Sequence, residues 1–178
     1  MSSKWQLLET LARFENPWLT LIGERLRDDA GQNLTYWRVE RTDSVIIIPI
    51  YQENFILPKE YYRHGLGKMT FDFPGGRHDP KLTLEQSAYR ILDKELKIKS
   101  DCIKSMSILN PHGWNVDSSF SSQKVFAFAA QILDSTKLNH DLIEMTQPAD
   151  YNGAKAILDK LDCLQCRCAL LEWMCHYK

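Results

Sequence analysis

Residues 73–96, FPGGRHDPKLTLEQSAYRILDKEL, join a glycine pair to a segment with helical periodicity. A glycine pair before a helix is typical of a loop that handles phosphate. Within the helical segment, Ile91, Lys94 and Glu95 are spaced i, i+3 and i+4, so their side chains share one face. A face with several carboxylates could hold Mg²⁺, which prefers oxygen ligands. This face offers one carboxylate beside one ammonium group, and its attraction for a dication is therefore weak.

The helix that carries these side chains is predicted to begin after residue 83. Thr83 fits the N-cap position, and Gln86 follows at the spacing of a capping box. The apolar residues that recur at helical spacing are Leu84, Ala88, Ile91, Leu92 and Leu96. Such a stripe predicts a helix that packs its apolar side against a core.

Strand-like runs precede and follow this helix. Residues 19–26 and 34–41 predict a hairpin, because residues 28–33 (DDAGQN) have the composition of a turn. Residues 45–50 (VIIIPI) predict a strand that is buried on both faces, although Pro49 indicates a sheet edge or a bulge. Further strands are predicted at residues 54–63, 69–73, 105–109 and 124–130.

Residues 154–178 predict a helical tail that Asp162 divides in two. The apolar stripe that we expect to face the core consists of Ile157, Leu161, Leu164, Cys168, Leu171 and Cys175. Cys163 and Cys166, with further cysteines and His176 downstream, have spacings that also occur in zinc sites. Because buried free cysteine is common, core packing is the favoured interpretation of these thiols.

The composition is that of a globular protein. A chain of 178 residues with 44% apolar and 25% charged residues can bury a core, which argues against disorder. A net charge of −1 gives no electrostatic reason to expect binding to nucleic acid or to an anionic membrane. Five unevenly spaced cysteines, with no signal-peptide pattern or membrane-spanning run, predict a reduced, cytoplasmic protein.

Pro74-Gly75-Gly76, followed by Arg90 and Glu95 on the predicted helix, resembles the signature of the Nudix hydrolases. When the signature is aligned on Arg90, Gly76 falls at its first glycine and Glu95 at its last glutamate. Segments 37–40, 43–48, 61–65 and 72–76 are similar to the ADP-ribose pyrophosphatase branch of that family. The resemblance extends over most of the chain.

Most of the carboxylates of the Nudix signature are replaced in this sequence. The other three signature glutamates fall on Leu82, Ile91 and Lys94, and the late glycine falls on Lys97. Glu95 alone remains. We therefore expect Mg²⁺ to bind weakly or not at all, diphosphate hydrolysis to be weak or absent, and nucleotide binding to persist.

The resemblance implies roles for particular residues. Glu95 and the Gly76 carbonyl would be the surviving metal contacts, and the expected catalytic residues are Glu95, Arg90 and Glu144. Arg90 would orient Glu95 or meet phosphate. The residues expected to bind a nucleoside-diphosphate-linked small molecule are Arg63, Asp72, Gly75, Gly76, Lys94 and Trp114.

The resemblance also implies an architecture. It implies a Nudix fold of the α+β or α/β class, in which a mixed β-sheet lies between helices. Residues 1–178 would form a single domain. Residues 1–42 would be an N-terminal β-hairpin segment that builds a homodimer, and residues 43–178 would be the Nudix core.

Two other interpretations remain open. An active hydrolase could recruit substitute carboxylates, for which the candidates are Asp72, Asp79, Glu85, Asp93, Asp141 and Glu144. Of these, Glu85 and Asp93 lie about 80° and about 200° around the helix from Glu95, so they are poor replacements. Alternatively, the fold could have a structural or partner-binding use.

Overall fold

The computed structural model describes residues 5–176, which form twelve β-strands and three α-helices. These residues fall into two compact units. The first contains the residues up to Asp43 together with Asn115–Lys124, and the second contains Ser44–Trp114 together with the residues from Val125 onward. That Asn115–Lys124 belongs with the N-terminal segment was not predicted from the sequence.

The first unit contains a three-stranded antiparallel sheet in the order β1-β2-β3. Its strands are β1 (Gln6–Glu15), β2 (Thr20–Arg27) and β3 (Asn33–Glu40). The hairpin of β2 and β3 is as predicted. Strand β1 was not predicted, because its Leu, Glu and Ala residues favour helix when considered locally. Pairing with β2, interrupted by two register shifts, overrides that preference.

Close packing explains two features of this first unit. Gly23 lies opposite Trp37 across β2 and β3, and a Cβ at Gly23 would come within 2.8 Å of the Trp37 ring. Only glycine leaves room for that ring. The segment Asn115–Lys124 joins the sheet at Val39, whose N–H donates to the Phe120 carbonyl at 2.7 Å and whose carbonyl accepts from the Ser122 N–H at 3.1 Å.

The second unit is built on a seven-stranded sheet. Its strands are β4 (Ser44–Tyr51), β5 (Asn54–Pro58), β8 (Gly75–Arg77), β9 (Ile103–Ile108), β10 (Trp114–Asn115), β11 (Lys124–Ile132) and β12 (Ile143–Pro148). The order is β10-β11-β4-β5-β12, with β8 paired to β4 and β9 paired to β11. The sheet is mixed, because β4 runs parallel to β11 but antiparallel to β5 and β8.

Helices cover both faces of this sheet. They are α1 (Leu84–Leu96), α2 (Tyr151–Leu158) and α3 (Leu164–His176). Helix α1 packs into one buried cluster that includes Val45, Ile47 and Ile56. Side chains alternate along a strand, so Phe55 points to the opposite face. There its ring meets Trp173 of α3, with 4.7 Å between the ring centroids. The predicted fold class, a mixed sheet between helices, is confirmed.

The expectation that Pro49 marks a sheet edge or a bulge was wrong, because β4 is a central strand. One side of β4 pairs continuously with β11, and Pro49 lies opposite Ala130 in that ladder. The other side pairs with β8 at Ser44–Ile46 and with β5 only at Ile50 and Tyr51. Proline has no N–H to donate. It is tolerated here because, on this side of β4, Pro49 lies in the gap between the residues that pair with β8 and those that pair with β5.

The predicted apolar stripe of the C-terminal helices was also wrong. Ile157 and Leu161 are buried, but Leu164, Cys168, Leu171 and Cys175 are exposed. Residues 159–163 interrupt the helix, so the periodicity of α2 does not continue into α3. The buried residues of α3 are Cys166, Ala169, Leu170 and Trp173.

Several predicted strand boundaries differ in the structure. The predicted strand 54–63 divides into β5, which ends at Pro58, and β6 (Tyr61–Arg63). Strand β6 pairs with β7 (Lys68–Thr70) in a separate hairpin. Strand β12 was not predicted.

Candidate active site

Helix α1 is fixed at both ends by hydrogen bonds. The Thr83 Oγ1 atom accepts from the Gln86 N–H at 3.1 Å, and the Gln86 side chain accepts from the Thr83 N–H at 2.9 Å. This is the predicted capping box. At the other end Lys97 adopts a left-handed conformation with φ 58°, and its N–H donates to the Asp93 carbonyl. The helix buries Ala88, Leu92 and Leu96, so half-buried Glu95 lies at the margin of the apolar face.

The glycine pair forms strand β8 and runs close to both β4 and α1. Gly75 and Gly76 lie opposite Ile46 and Val45. A Cβ at Gly75 would come within 3.3 Å of the Val45 carbonyl oxygen, and a Cβ at Gly76 would come within 3.4 Å of the Ile91 side chain. Ile91 therefore occupies the space next to Gly76 and is itself buried.

Glu95 lies among groups that influence its charge. Burial raises the pKa of Glu95, while the Gly75 N–H, Lys94 and Arg63 act to lower it. The carboxylate of Asp72 raises the pKa of Glu95 further. The structure thus brings together five residues that the sequence analysis named for this site.

Arg63 and Asp72 form an anchored ion pair. The Arg63 Nε atom donates to Asp72 Oδ2 at 3.0 Å, and the Tyr61 hydroxyl donates to the same oxygen at 3.2 Å. The Arg63 guanidinium also lies over the Tyr61 ring, 3.9 Å from its centroid. Burial raises the pKa of Asp72, and Arg63 opposes that shift. Asp72 is 5% exposed, so its main contact here is with Arg63 and not with solvent.

Arg90 pairs with Asp79, and its expected role, to orient Glu95 or to meet phosphate, stays a prediction. Arg90 donates to Asp79 at 3.1 Å, and Asp79 also accepts from the Lys81 N–H at 3.0 Å. Residues 90 and 95 are five positions apart, which places their side chains about 140° apart around the helix. The exposed Arg90 side chain stays available to an anion.

The remaining expected residues occupy separate strands. Glu144 is exposed on β12, which is separated from β4 by β5, a spacing of roughly 10 Å. Its neighbour Ile143 pairs with Pro58, at the end of the sheet where Gly76 lies. Half-buried Trp114 is in β10, on the other side of β4 in the strand order. Their catalytic and base-stacking roles remain predictions.

Three of the substitute carboxylates already have partners, and Asp72 with Arg63 is the first of them. Asp79 pairs with Arg90, and Glu85 accepts from the Tyr89 hydroxyl at 2.8 Å. Within residues 5–176, one group of three acidic or thiol side chains has all its ligand atoms within 4.8 Å of one another, and that group does not include Glu95. It contains Asp72, Cys163 and Cys166. The Cys-x-x-Cys spacing was visible in the sequence, but its proximity to Asp72 was not.

The chain was compared with known proteins. It matches no protein-family model and none of the curated proteins. It is similar to a solved structure entitled "Crystal structure of ADP compounds hydrolase", with a TM-score of 0.75 and 19% sequence identity. The match covers 95% of this chain and 91% of the other. At this identity the likeness shows the fold alone. Separately, none of the helices in residues 5–176 is long and apolar enough to cross a membrane.

Replacing Glu95 with Gln tests the electrostatic description of the site. The folded-state pKa of Glu95 is raised, so its ionisation opposes folding at any pH above its ordinary value of about 4.3. Below that pH both states are protonated and the penalty disappears. We expect Glu95→Gln to raise the urea midpoint relative to wild type at pH 7, and the gain to shrink as the pH falls through the raised pKa of Glu95 and to vanish below about 4.

Asp93→Asn is the matched control, because Asp93 is an exposed carboxylate in the last turn of the same helix. It removes the same charge close to the same helix end. An equal pH-dependent gain in both variants would contradict the assignment of the effect to burial of Glu95.

Proposed function

We propose that this protein binds a nucleoside-diphosphate-linked small molecule beside Glu95, Gly75–Gly76 and Arg63, and that it hydrolyses the diphosphate weakly or not at all. The observation that carries this proposal is the contact between Ile91 and Gly76. Ile91 is buried, and by the resemblance it stands where the Nudix signature has a glutamate. The fold likeness to a protein entitled ADP compounds hydrolase supports the choice of ligand class.

The donor groups near Glu95 do not fit a resident Mg²⁺ ion. Mg²⁺ needs near-octahedral oxygen coordination, usually with carboxylates supplying part of the shell. In diphosphate hydrolysis a metal ion neutralises the charge and activates water. Here Glu95 is one carboxylate, Ile91 supplies no oxygen, and Lys94 and Arg63 add positive charge nearby. The arrangement favours a bound anion over a bound dication.

Binding would then rest on the cations of the protein. Lys94 is exposed next to Glu95 and can act as the countercharge for phosphate. Arg63, held by Asp72 and Tyr61, presents a guanidinium that is partly solvent-exposed. An arginine whose orientation is fixed loses less freedom when it binds phosphate. Trp114 is the aromatic side chain proposed to stack on the base.

A hydrolase that uses substitute carboxylates is the alternative. In that case Glu95 and the Gly76 carbonyl would contact the metal, and Glu144 would act as the general base. The engagement of Asp79 with Arg90 and of Glu85 with Tyr89 favours the weak or inactive form.

Thermal unfolding with ADP-ribose, in Mg²⁺ and separately in a chelator, tests the proposal. A ligand that binds only the folded state raises the melting temperature. We expect ADP-ribose to raise the melting temperature equally in both conditions, with hydrolysis slower than about 1 per second.

Lys94→Ala should weaken ADP-ribose binding about tenfold, which corresponds to the loss of one charge-assisted hydrogen bond. Lys99→Ala, which removes an exposed lysine beyond the helix end, should leave the affinity unchanged.

The outcomes separate the three interpretations. Rapid Mg²⁺-dependent hydrolysis would contradict the proposal in favour of an active enzyme with substitute carboxylates. Absence of any stabilisation by ADP-ribose would contradict it in favour of a structural or partner-binding use of the fold.

We also propose that the three-stranded sheet of the first unit builds a homodimer. Strand β1 exposes large apolar side chains, with Leu7 53% and Phe14 62% exposed. Leu8 and Leu11 on the same strand and nearby Trp18 are exposed as well. Several large exposed apolar side chains along one strand are typical of an interaction site. Burial of these side chains against a second copy would remove them from water.

Size-exclusion chromatography with light scattering tests the dimer. The wild-type protein is expected at twice the chain mass, and Leu7→Glu with Phe14→Glu should shift it to the monomer, because carboxylates would be buried at the interface. Leu171→Glu, at an exposed apolar position on α3, is the control and should remain dimeric. A wild-type monomer at micromolar concentration would contradict this proposal.

A further inference from the structure

A cluster of metal-ligating side chains lies beside the Arg63–Asp72 ion pair. Asp72, Cys163 and Cys166 each offer one ligand atom, and these atoms all lie within 4.8 Å of one another. Asp72 and Cys166 are buried, and Cys163 is half-buried. Neither thiol has a role in the proposed nucleotide site.

The start of α3 fixes the two thiols. The Cys163 carbonyl accepts the Arg167 N–H at 3.0 Å, which places Cys163 at the N-cap. Cys166 follows three residues later, so both sulfurs are on the same side of the first turn. Lys68 on β7 pairs with Asp162 at 2.9 Å, and this bond ties the start of α3 to the β6–β7 hairpin. The same hairpin leads into Asp72.

The two oxygens of Asp72 have different surroundings. Oδ2 accepts from Arg63 and Tyr61. Oδ1 is buried and accepts no N–H or O–H hydrogen bond among the described residues. The Cys166 and Cys163 thiols, which are weak donors, are the groups beside Asp72 that lower its pKa by hydrogen bonding. A buried carboxylate oxygen with only weak donors is costly. Metal-bound carboxylates commonly have their other oxygen held by a hydrogen-bond donor, and Arg63 supplies that donor here.

We propose that Asp72 Oδ1, Cys163 Sγ and Cys166 Sγ form a binding site for a borderline-soft divalent metal ion of the zinc class. With Zn–S bonds of about 2.3 Å in a tetrahedron, two sulfurs lie about 3.8 Å apart. Atoms that already lie within 4.8 Å reach that geometry by small side-chain movements. The half-buried Cys163 leaves a side open to solvent, where water completes the coordination.

The two thiols influence each other. Hydrogen bonding from Cys166, together with the Cys166 and Gln165 N–H groups, lowers the pKa of the Cys163 thiol to about 6. The pKa of Cys166 is raised, most by Cys163 and then by burial. A metal ion would remove the Cys166 proton and neutralise the buried negative charge.

Two other uses of the same residues fit less well. Thiolates select soft or borderline metals over Mg²⁺, so this is not a displaced magnesium site. A Cys163–Cys166 disulfide would use both sulfurs but would leave Asp72 Oδ1 unpartnered. The carboxylate oxygen is therefore the feature that favours a metal over a disulfide.

Titration of the fully reduced protein with Co²⁺, a spectroscopic substitute for Zn²⁺, tests the site. We expect one equivalent to produce thiolate-to-cobalt charge-transfer absorption, which one equivalent of Zn²⁺ abolishes. Cys163→Ser should eliminate the band, and Asp72→Asn should weaken Co²⁺ binding at least about tenfold. Cys168→Ser, an exposed cysteine on the same helix, is the matched control and should leave the spectrum unchanged.

A measurement on the wild-type protein covers the case in which a variant fails to fold. The chain has five cysteines, and Zn²⁺ should protect the half-buried Cys163 from a thiol reagent in the reduced, folded protein, where Cys166 is already buried. Failure of Zn²⁺ to protect any thiol, or a cobalt band that survives in Cys163→Ser, would overturn the proposal. Neither readout uses ADP-ribose, so the result is independent of the proposed nucleotide site.

Discussion

The close packing of helix α1 against the glycine strand β8 is the constraint on which the candidate site depends. A Cβ at Gly75 would press on the Val45 carbonyl oxygen at 3.3 Å, and a Cβ at Gly76 would be in van der Waals contact with the Ile91 side chain at 3.4 Å. Because the helix is this close, Ile91 fills the space beside Gly76 and Glu95 is half-buried near the Gly75 N–H. Packing of this kind stabilises the fold with or without the carboxylates of a metal site, so the loss of those carboxylates does not require a change of fold.

Asp72 connects two features that have different chemistry. One of its oxygens fixes Arg63, which we propose as a contact for a diphosphate. The other oxygen is buried near Cys163 and Cys166. A metal ion on the thiols, as we propose, would fix the position of this carboxylate and so couple the position of Arg63 to metal binding.

Two local signals were read correctly from the sequence, whereas several contacts between distant segments were not. The capping box of Thr83 and Gln86 and the β2–β3 hairpin depend on nearby residues, and both are as predicted. Strand β1 was missed because its pairing with β2 outweighs its helix propensity. The ion pair of Arg90 with Asp79 in the preceding loop was not predicted. The proximity of Asp72 to Cys163 could not be predicted, since they are far apart in the sequence and only the folded chain brings them together.

The central claim is that the Glu95 site lacks the oxygen ligands for a resident Mg²⁺ ion. The most direct test is calorimetric titration of Mg²⁺ into the wild-type protein and into Ile91→Glu with Lys94→Glu, with Lys94→Glu alone as the matched control. We predict no saturable binding of Mg²⁺ to the wild type and saturable binding to the double variant, because carboxylates replace an alkyl group and an ammonium group. Saturable binding of Mg²⁺ to the wild type with the same affinity as the double variant would contradict this claim.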